Sequence, residues 1–322
     1  MSDSKLITLS QAAEIVRDGA LITFSGFTIW RRPCAFVFEL IRQRKRNLHV
    51  IEVNSGPHSE FLIGAGCVSV WESSWIGHEI YGKFGANLSR KIKGKEIIYE
   101  DYTHAEMGMR FLAASAGMPF MAVQTALGTD IHNPAYDMLA LAGLRDGSNP
   151  KIPRKKYDTI NDPFFSGAEQ ILVPAAKVDI AVICAQKAGT DGTVRIEGQF
   201  FTDPEIARAA DVTIVLAEEV VPEEYLRRDP RLNTIPAFVV DYVVECPYGA
   251  HPTGMAGFYE PDGDFIRNFY MQTRTQEGFD EFAREWIHRT THNGYLERLG
   301  SGRLIGLRAS RTLGFSAKVG KG

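Results

Sequence analysis

The sequence predicts an α/β fold: a mostly parallel open sheet with helices on both faces and a helical C-terminal region. Two observations predict it. Short apolar runs of strand length alternate with segments whose apolar residues recur at helical spacing, the pattern of helices that return the chain between parallel strands. The composition, 44% hydrophobic and 23% charged over 322 residues, leaves room for one large domain or two moderate ones, and because the second α/β segment reads as a continuation of the sheet, a single domain over 1–322 is expected.

The first unit is helix, strand, turn. Thr8-Leu9-Ser10-Gln11 has the form of a capping box and opens a helix through about Arg17, and Ala20 to Phe24 is a short apolar run suited to a buried strand. Pro33 stands where a second helix can start, with Phe36, Val37, Leu40 and Ile41 at helical spacing before a strand at Leu48 to Val53. Further strands are expected near Val68 to Trp71, at Glu96 to Tyr99 and at Phe120 to Gln124, with a helix from about His104 to Ala116. From 125 to 168 the periodicity fades and Gly147, Pro150, Pro153 and Pro163 break it; a loop region this long is usually functional or covered by a partner. The sheet then continues with strands near Gln170 to Val173, Asp179 to Cys184, Val212 to Ala217 and Ala237 to Val244, and with a helix capped by Asp203 that carries Ile206 and Ala209. Phe279, Phe282, Trp286 and Ile287 fall on one face of a later helix, and 300–322 reads as a loosely packed basic tail containing Arg303, Arg308, Arg311, Lys318 and Lys321.

Composition excludes several function classes. A formal net charge of −3 provides no global field to collect nucleic acid, and the clusters Arg42-Gln43-Arg44-Lys45-Arg46 and Pro153-Arg154-Lys155-Lys156 read as solvated surface. No apolar run reaches the roughly 18 residues of a membrane span, and no secretory leader pattern stands at the N-terminus, so a cytoplasmic protein without membrane contact is expected. Cys34, Cys67, Cys184 and Cys246 are far apart in mostly apolar context and read as reduced packing residues; no structural metal is expected.

The chemistry-bearing stretch is Asp18-Gly19-Ala20-Leu21-Ile22-Thr23-Phe24-Ser25-Gly26-Phe27, followed by Pro33. A strand that empties into small residues delivers bare backbone to a ligand, although Ser-Gly-Phe also suits an ordinary strand-to-helix turn. The run resembles the N-terminal signature of family I CoA-transferases, from which Thr23, Ser25 and Arg31 depart. Further segments resemble the glutaconate type of α subunit in the same order along the chain: Glu100-Asp101-Tyr102, Ala185-Gln186-Lys187-Ala188, Gly192 to Ile196, Arg227 to Pro230, Pro247 to Pro252 and Thr275 to Asp280.

The resemblance implies a covalent relay. A glutamate carboxylate attacks an acyl-CoA thioester to give an acyl-glutamyl anhydride, CoA thiolate returns to form a glutamyl-CoA thioester, and the acceptor carboxylate takes over the CoA. In this family the glutamate belongs to the β subunit within a Ser-Glu-Asn-Gly type segment. None exists here, and Glu72 and Glu197 lack that context. The chain is therefore expected to be the α subunit of a heteromeric enzyme whose partner is a β subunit in an α2β2 assembly. Coenzyme A thioester and a dicarboxylic or 3-oxo acid would be substrates, no cofactor is needed, and Ser25, Gly26 and Phe27 would form a wall of a shared site.

Other candidates keep two readings. His104 and Glu106 either face a ligand at a strand's carboxyl end or merely complement a helix start. His251 is a site group or a turn histidine bonded to backbone. His78 and Glu79 either alter the substrate or lie on an interface loop, and Arg31 and Arg32 suit a clamp on a substrate carboxylate. Two alternative functions follow from the resemblance: a hydrolase of the same fold that opens a β-diketone ring on a CoA ester, as in steroid catabolism, and a non-catalytic acyl-CoA-binding subunit. The hydrolase relatives carry an acid where ungapped alignment here places His104, with Glu106 two residues on.

Overall fold

A computed structural model describes residues 4–310 and 312–316. The capping box at Thr8 forms as its sequence predicts and opens α1 (Leu9–Glu14), with Gln11 answering from the third position. The chain then alternates β1 (Leu21–Phe24), α2 (Cys34–Arg42), β2 (Leu48–Ile51), α3 (Pro57–Gly64), β3 (Val68–Ser73), α4 (Ala86–Lys93), β4 (Ile98–Asp101) and α5 (His104–Ser115). After an excursion holding β5 (Phe120–Val123), α6 (Met138–Leu141), β6 (Asp158–Asn161) and β7 (Glu169–Pro174), it re-enters the sheet. There β8 (Val178–Ala188), β9 (Val194–Arg195), α7 (Asp203–Ala209), β10 (Ala210–Val220), α8 (Glu223–Arg227) and β11 (Tyr242–Glu245) follow. The C-terminal region is helical: α9 (Gly263–Gln272), α10 (Gln276–Ala283), a π-helical turn over Arg284–His288, α11 (His292–Leu299) and α12 (Ser301–Leu307).

The main sheet has the order β11-β10-β8-β1-β2-β3-β4, parallel throughout, with the short β9 antiparallel to the end of β8. Alternate residues of each strand serve opposite faces. Ile22, Phe24, Val182 and Leu216 join α1, α2, α3 and the C-terminal helices in one core, whereas Leu21, Ile183 and Val215 meet Met107 and Phe111 of α5 and Ile206 of α7 in the other. Because β1 leads toward β2 and β8 leads toward β10, the strand order reverses between β1 and β8, and a crevice opens at their carboxyl ends.

Four expectations are corrected. The strands at 120 and 170 are not part of the main sheet: β5, β7 and β6 form a separate antiparallel sheet, because an apolar run does not say which partner it will find. Residues 237–239 make a 3-10 turn, and the strand there begins only at Tyr242. Asp203 lies inside α7 and does not cap it, its carboxylate being engaged elsewhere. Within the basic C-terminal stretch, residues 301–307 form a helix and Arg303 pairs with Asp262; Arg311, Lys318 and Lys321 lie outside the described residues. No described helix is long and apolar enough to cross a membrane.

Candidate active site at the sheet switch point

At the end of β1 the strands begin to part, and Ser25 spans the gap. Its N–H donates to Val182 O and its hydroxyl accepts the Cys184 N–H at 2.8 Å. Gly26 follows with φ +94°, and a Cβ there would lie 2.4 Å from Trp30 O, so only glycine fits the turn. Phe27 and Trp30 exchange backbone hydrogen bonds at 3.0 and 2.8 Å, which closes a tight loop and turns the Phe27 ring against Phe201 at 5.3 Å.

Both arginines are buried beneath this loop and bonded to the protein. The Arg31 guanidinium holds Asp203 in a two-pronged pair at 2.9 and 2.9 Å and donates further to Gln199 O and Cys184 O. Burial raises the Asp203 carboxyl, but the Arg31 charge and its hydrogen bonds outweigh this and hold it below the usual range. The same carboxylate accepts the Gly26 N–H, so the ion pair also orients the turn. Arg32 donates to Thr28 O, Ser25 O and Asn54 O, with Glu52 3.6 Å away; desolvation lowers its pKa to about 10. In this arrangement the two side chains plug the crevice and brace its lip, and their donors are taken by protein carbonyls and the Asp203 carboxylate rather than left for an incoming one.

A second buried layer supports the loop after β2. Glu52 accepts from His58 Nε2 at 2.8 Å and from the Ser59 hydroxyl at 2.5 Å, while the Asn54 side-chain oxygen accepts the Thr28 N–H. Nearer the sheet edge, Glu72 joins Arg110 and His49 at 2.9 and 2.6 Å; burial opposes its charge, but the Arg110 and His49 contacts keep it ionised. Glu100 joins Lys156 at 2.5 Å and lies near Arg145, which ties the excursion down onto the end of β4.

The remaining sequence candidates fall in different places. His104 is exposed on the first turn of α5 and lines a cavity of about 430 Å³ together with Met109, Leu112, Phe201, Thr202 and Glu205. This cavity adjoins the turn, because Phe201 belongs to its wall and touches Phe27. Partial desolvation at the cavity mouth lowers the His104 pKa and favours the neutral imidazole. Glu106 lies on another face of α5, where it completes the capping box with Thr103 and approaches His132 Nε2 at 2.7 Å. His251 is buried between the Tyr295 hydroxyl at 2.6 Å and Asp262 at 3.1 Å, away from the cavity lining. His78 is buried against Phe269 and Tyr270, and desolvation lowers its pKa to about 3; Glu79 beside it is exposed. Of the two other acids, Glu197 pairs with Lys187 at 2.5 Å.

The structure therefore brings Ser25, Gly26, Phe27 and His104 to one rim, with Arg31 and Arg32 beneath it, and sets His78, Glu79 and His251 apart. Sequence reasoning did not find Phe201 and Glu205, which complete the cavity wall. It also missed Asp203 as the counter-ion of Arg31. Two adjacent arginines in an apolar stretch were a signal that buried acids must answer them.

Comparison with known proteins agrees with this architecture. Residues 6–246 match the family model described as Coenzyme A transferase. The chain is 36% identical over 320 residues to the A subunit of glutaconate CoA-transferase from Acidaminococcus fermentans, covering 99% of each chain. It is 30% identical to the A subunit of 3-oxoadipate CoA-transferase from Pseudomonas knackmussii over 89% of this chain and 95% of the relative. The crystal structure of the Acidaminococcus fermentans glutaconate coenzyme A-transferase superposes with a TM-score of 0.92, at 36% identity, covering 99% of this chain and 100% of that one. With the family model matching residues 6–246 and the glutaconate enzyme's subunit matching in sequence and fold over 99% of the chain, the chain belongs to the coenzyme A transferase family.

Proposed function

We propose that this chain is the α subunit of a heteromeric CoA-transferase that moves CoA between an acyl-CoA and a dicarboxylic or 3-oxo acid. The observation that carries the reading is the Ser25-Gly26-Phe27 turn at the switch point, set beside an apolar cavity and flanked by buried acids that are already paired. Glu52, Glu72, Glu100, Glu106 and Asp203, the buried acids around this rim, each lie within 3.0 Å of a histidine, lysine or arginine nitrogen of the same chain. A carboxylate whose oxygens are taken up by a buried nitrogen of the same chain is a poor attacking group, so the glutamate that accepts the acyl group is assigned to the partner subunit. The substrate class rests on the glutaconate and 3-oxoadipate enzymes among the relatives, both named for dicarboxylic acids.

In this reading the chain positions rather than attacks. The turn, its own N–H groups bonded within the chain, shapes a fixed wall of the shared site, the cavity takes the acyl chain, and neutral His104 at its mouth supplies a polar contact. Glu205, the one carboxylate in the cavity wall, is the residue of this chain to watch. The ring-opening alternative calls for a free acid at the start of α5, whereas Glu106 is held by Thr103 and His132.

The test is to co-express the chain with its partner, incubate the complex with acyl-CoA, reduce with borohydride and weigh the two polypeptides. Reduction of a glutamyl thioester on the partner, with this chain unchanged in mass, is expected. A mass change on this chain that Glu205→Gln removes would instead place the nucleophile here, and water-dependent product without a trapped thioester would identify a hydrolase.

A further inference from the structure

The cluster Arg42 to Arg46, read from the sequence as solvated surface, has a more specific setting. The loops entering β2 and β3, at the amino ends of the strands and so opposite the rim, frame a cleft of about 520 Å³ whose far wall is α10 and His288. Arg42, Arg44, Lys45 and Arg46 all line it. Arg42 is the compensated member: its Nε donates to Glu39 at 2.8 Å, although its Nη2 has no partner. Arg44, Lys45 and Arg46 form no ion pair among the described residues.

The loop is held in place independently of any ligand. Arg44 and Asn47 both have left-handed backbone, φ +58° and +56°, and the N–H groups of Arg44, Lys45 and Arg46 bond Ile41 O, Leu40 O and the Asp18 carboxylate. With those N–H groups occupied, the donors left to the cleft are side-chain ones. Asp280 is the one acid in its lining, and Gln276 Nε2 donates to it at 2.8 Å. Burial, followed by the charges of Arg44 and Arg42, lowers the pKa of His288, consistent with cations converging there. Ala65, with the edges of the largely buried Ile41 and Phe279, gives the cleft a small apolar patch.

Like charges gathered on a fixed loop repel one another, and an anion between them relieves that repulsion. Guanidinium groups match phosphate oxygens with two parallel N–H bonds, the cleft has the volume of an ordinary small-molecule site, and its apolar patch accepts a ring. We propose that this cleft binds a nucleoside diphosphate group, its phosphates on Arg44 and Arg46 and its ring system toward Ala65 and Phe279. Two sources share that chemistry, a free nucleotide and the nucleotide end of coenzyme A. Because the cleft lies at the opposite end of the strands from the turn, its occupant is a second molecule and not the reacting one. The assignment stands apart from the transferase reading.

The test is calorimetric titration of the purified full chain with pyrophosphate, ADP and CoA, repeated on an Arg44→Ala/Arg46→Ala variant whose thermal unfolding is recorded alongside. Saturable ADP binding, weakened at least tenfold in the variant with its unfolding temperature kept, is expected. CoA can also engage the rim, so only the component that the variant loses counts; its presence for CoA identifies the coenzyme as occupant, and its restriction to ADP identifies a free nucleotide. An Arg44→Lys/Arg46→Lys variant should bind at intermediate strength, since it keeps the charge and loses the two-pronged geometry. Binding of pyrophosphate alone, no saturable binding, or equal binding by parent and double alanine variant would overturn the proposal.

Discussion

Glu218 on β10 has both oxygens engaged, one by the Tyr259 hydroxyl and the other by the Tyr248 N–H at 2.7 Å. Burial nevertheless raises its carboxyl to about 7, because those bonds only partly offset the loss of water. An unfolded glutamate titrates near 4.3, so between that value and 7 the folded chain holds a proton that the unfolded chain has released. Its contribution to stability is therefore complete below pH of about 4.3 and is lost as the pH rises through about 7, on the order of 3 kcal/mol in all. Glutamine keeps the shape and one acceptor oxygen of the protonated side chain and cannot ionise. Unfolding midpoints of Glu218→Gln between pH 5 and 8 should accordingly fall less steeply than those of the parent, and equal slopes would refute the assignment. The same reasoning explains why Arg31 and Arg32 misled the sequence reading. A guanidinium in a glycine-bearing turn looks available to substrate, yet its counter-ion, Asp203, stands 172 residues away and only the folded chain brings it within 2.9 Å.

At the scale of elements, α5 shows what local sequence fixes. Thr103 accepts the Glu106 N–H at 3.1 Å and Glu106 returns a bond from the Thr103 N–H at 2.8 Å, a cap that fixes the helix start expected near His104 although the sequence reading did not name it. Removing the cap with Thr103→Ala should cost about 1 kcal/mol. Urea unfolding measures this, and a change below about 0.3 kcal/mol would mean that the contacts of α5 with the sheet alone hold its start. Helix α3 was illegible for the opposite reason. All eight of its residues are buried, with His58, Ser59 and Glu60 among them, so no polar face alternates with an apolar one. Glu60 accepts the N–H groups of Asn87 and Leu88 at the start of α4, a partnership across 27 residues that no periodicity announces. The small sheet failed likewise: β5 and β7 are apolar runs of ordinary length, and their antiparallel pairing depends on where the excursion returns. The turn after β1 was legible because Gly26 is required by its own backbone, whereas the cavity beside it needs α5 and α7, about 100 residues apart, to meet.

For the whole molecule, the three-stranded sheet is unfinished on one side. Its inner face carries Ile171 and Val173, both buried, while Phe120 on β5 is 50% exposed and Ile160 on β6 is 46% exposed on the other. Phe164 and Phe165 stand at the tip of the β6–β7 connection, the latter 95% exposed. Apolar side chains gathered this closely on an isolated chain mark a protein contact, and one chain of a heteromeric transferase has a companion to meet. The excursion is also anchored for that purpose, since the buried pairs from Lys156 and Arg145 to Glu100 join it to the strand end beside the rim. A partner resting on this sheet would thus be mechanically continuous with the site it completes. Phe120→Glu/Ile160→Glu leaves the inner face intact, so the variant should fold with an unchanged far-ultraviolet spectrum yet fail to co-elute with its partner in size-exclusion chromatography with light scattering. Co-elution at the parental mass would show that the subunits meet on another surface, and loss of the folded spectrum would show that the outer face supports the chain itself.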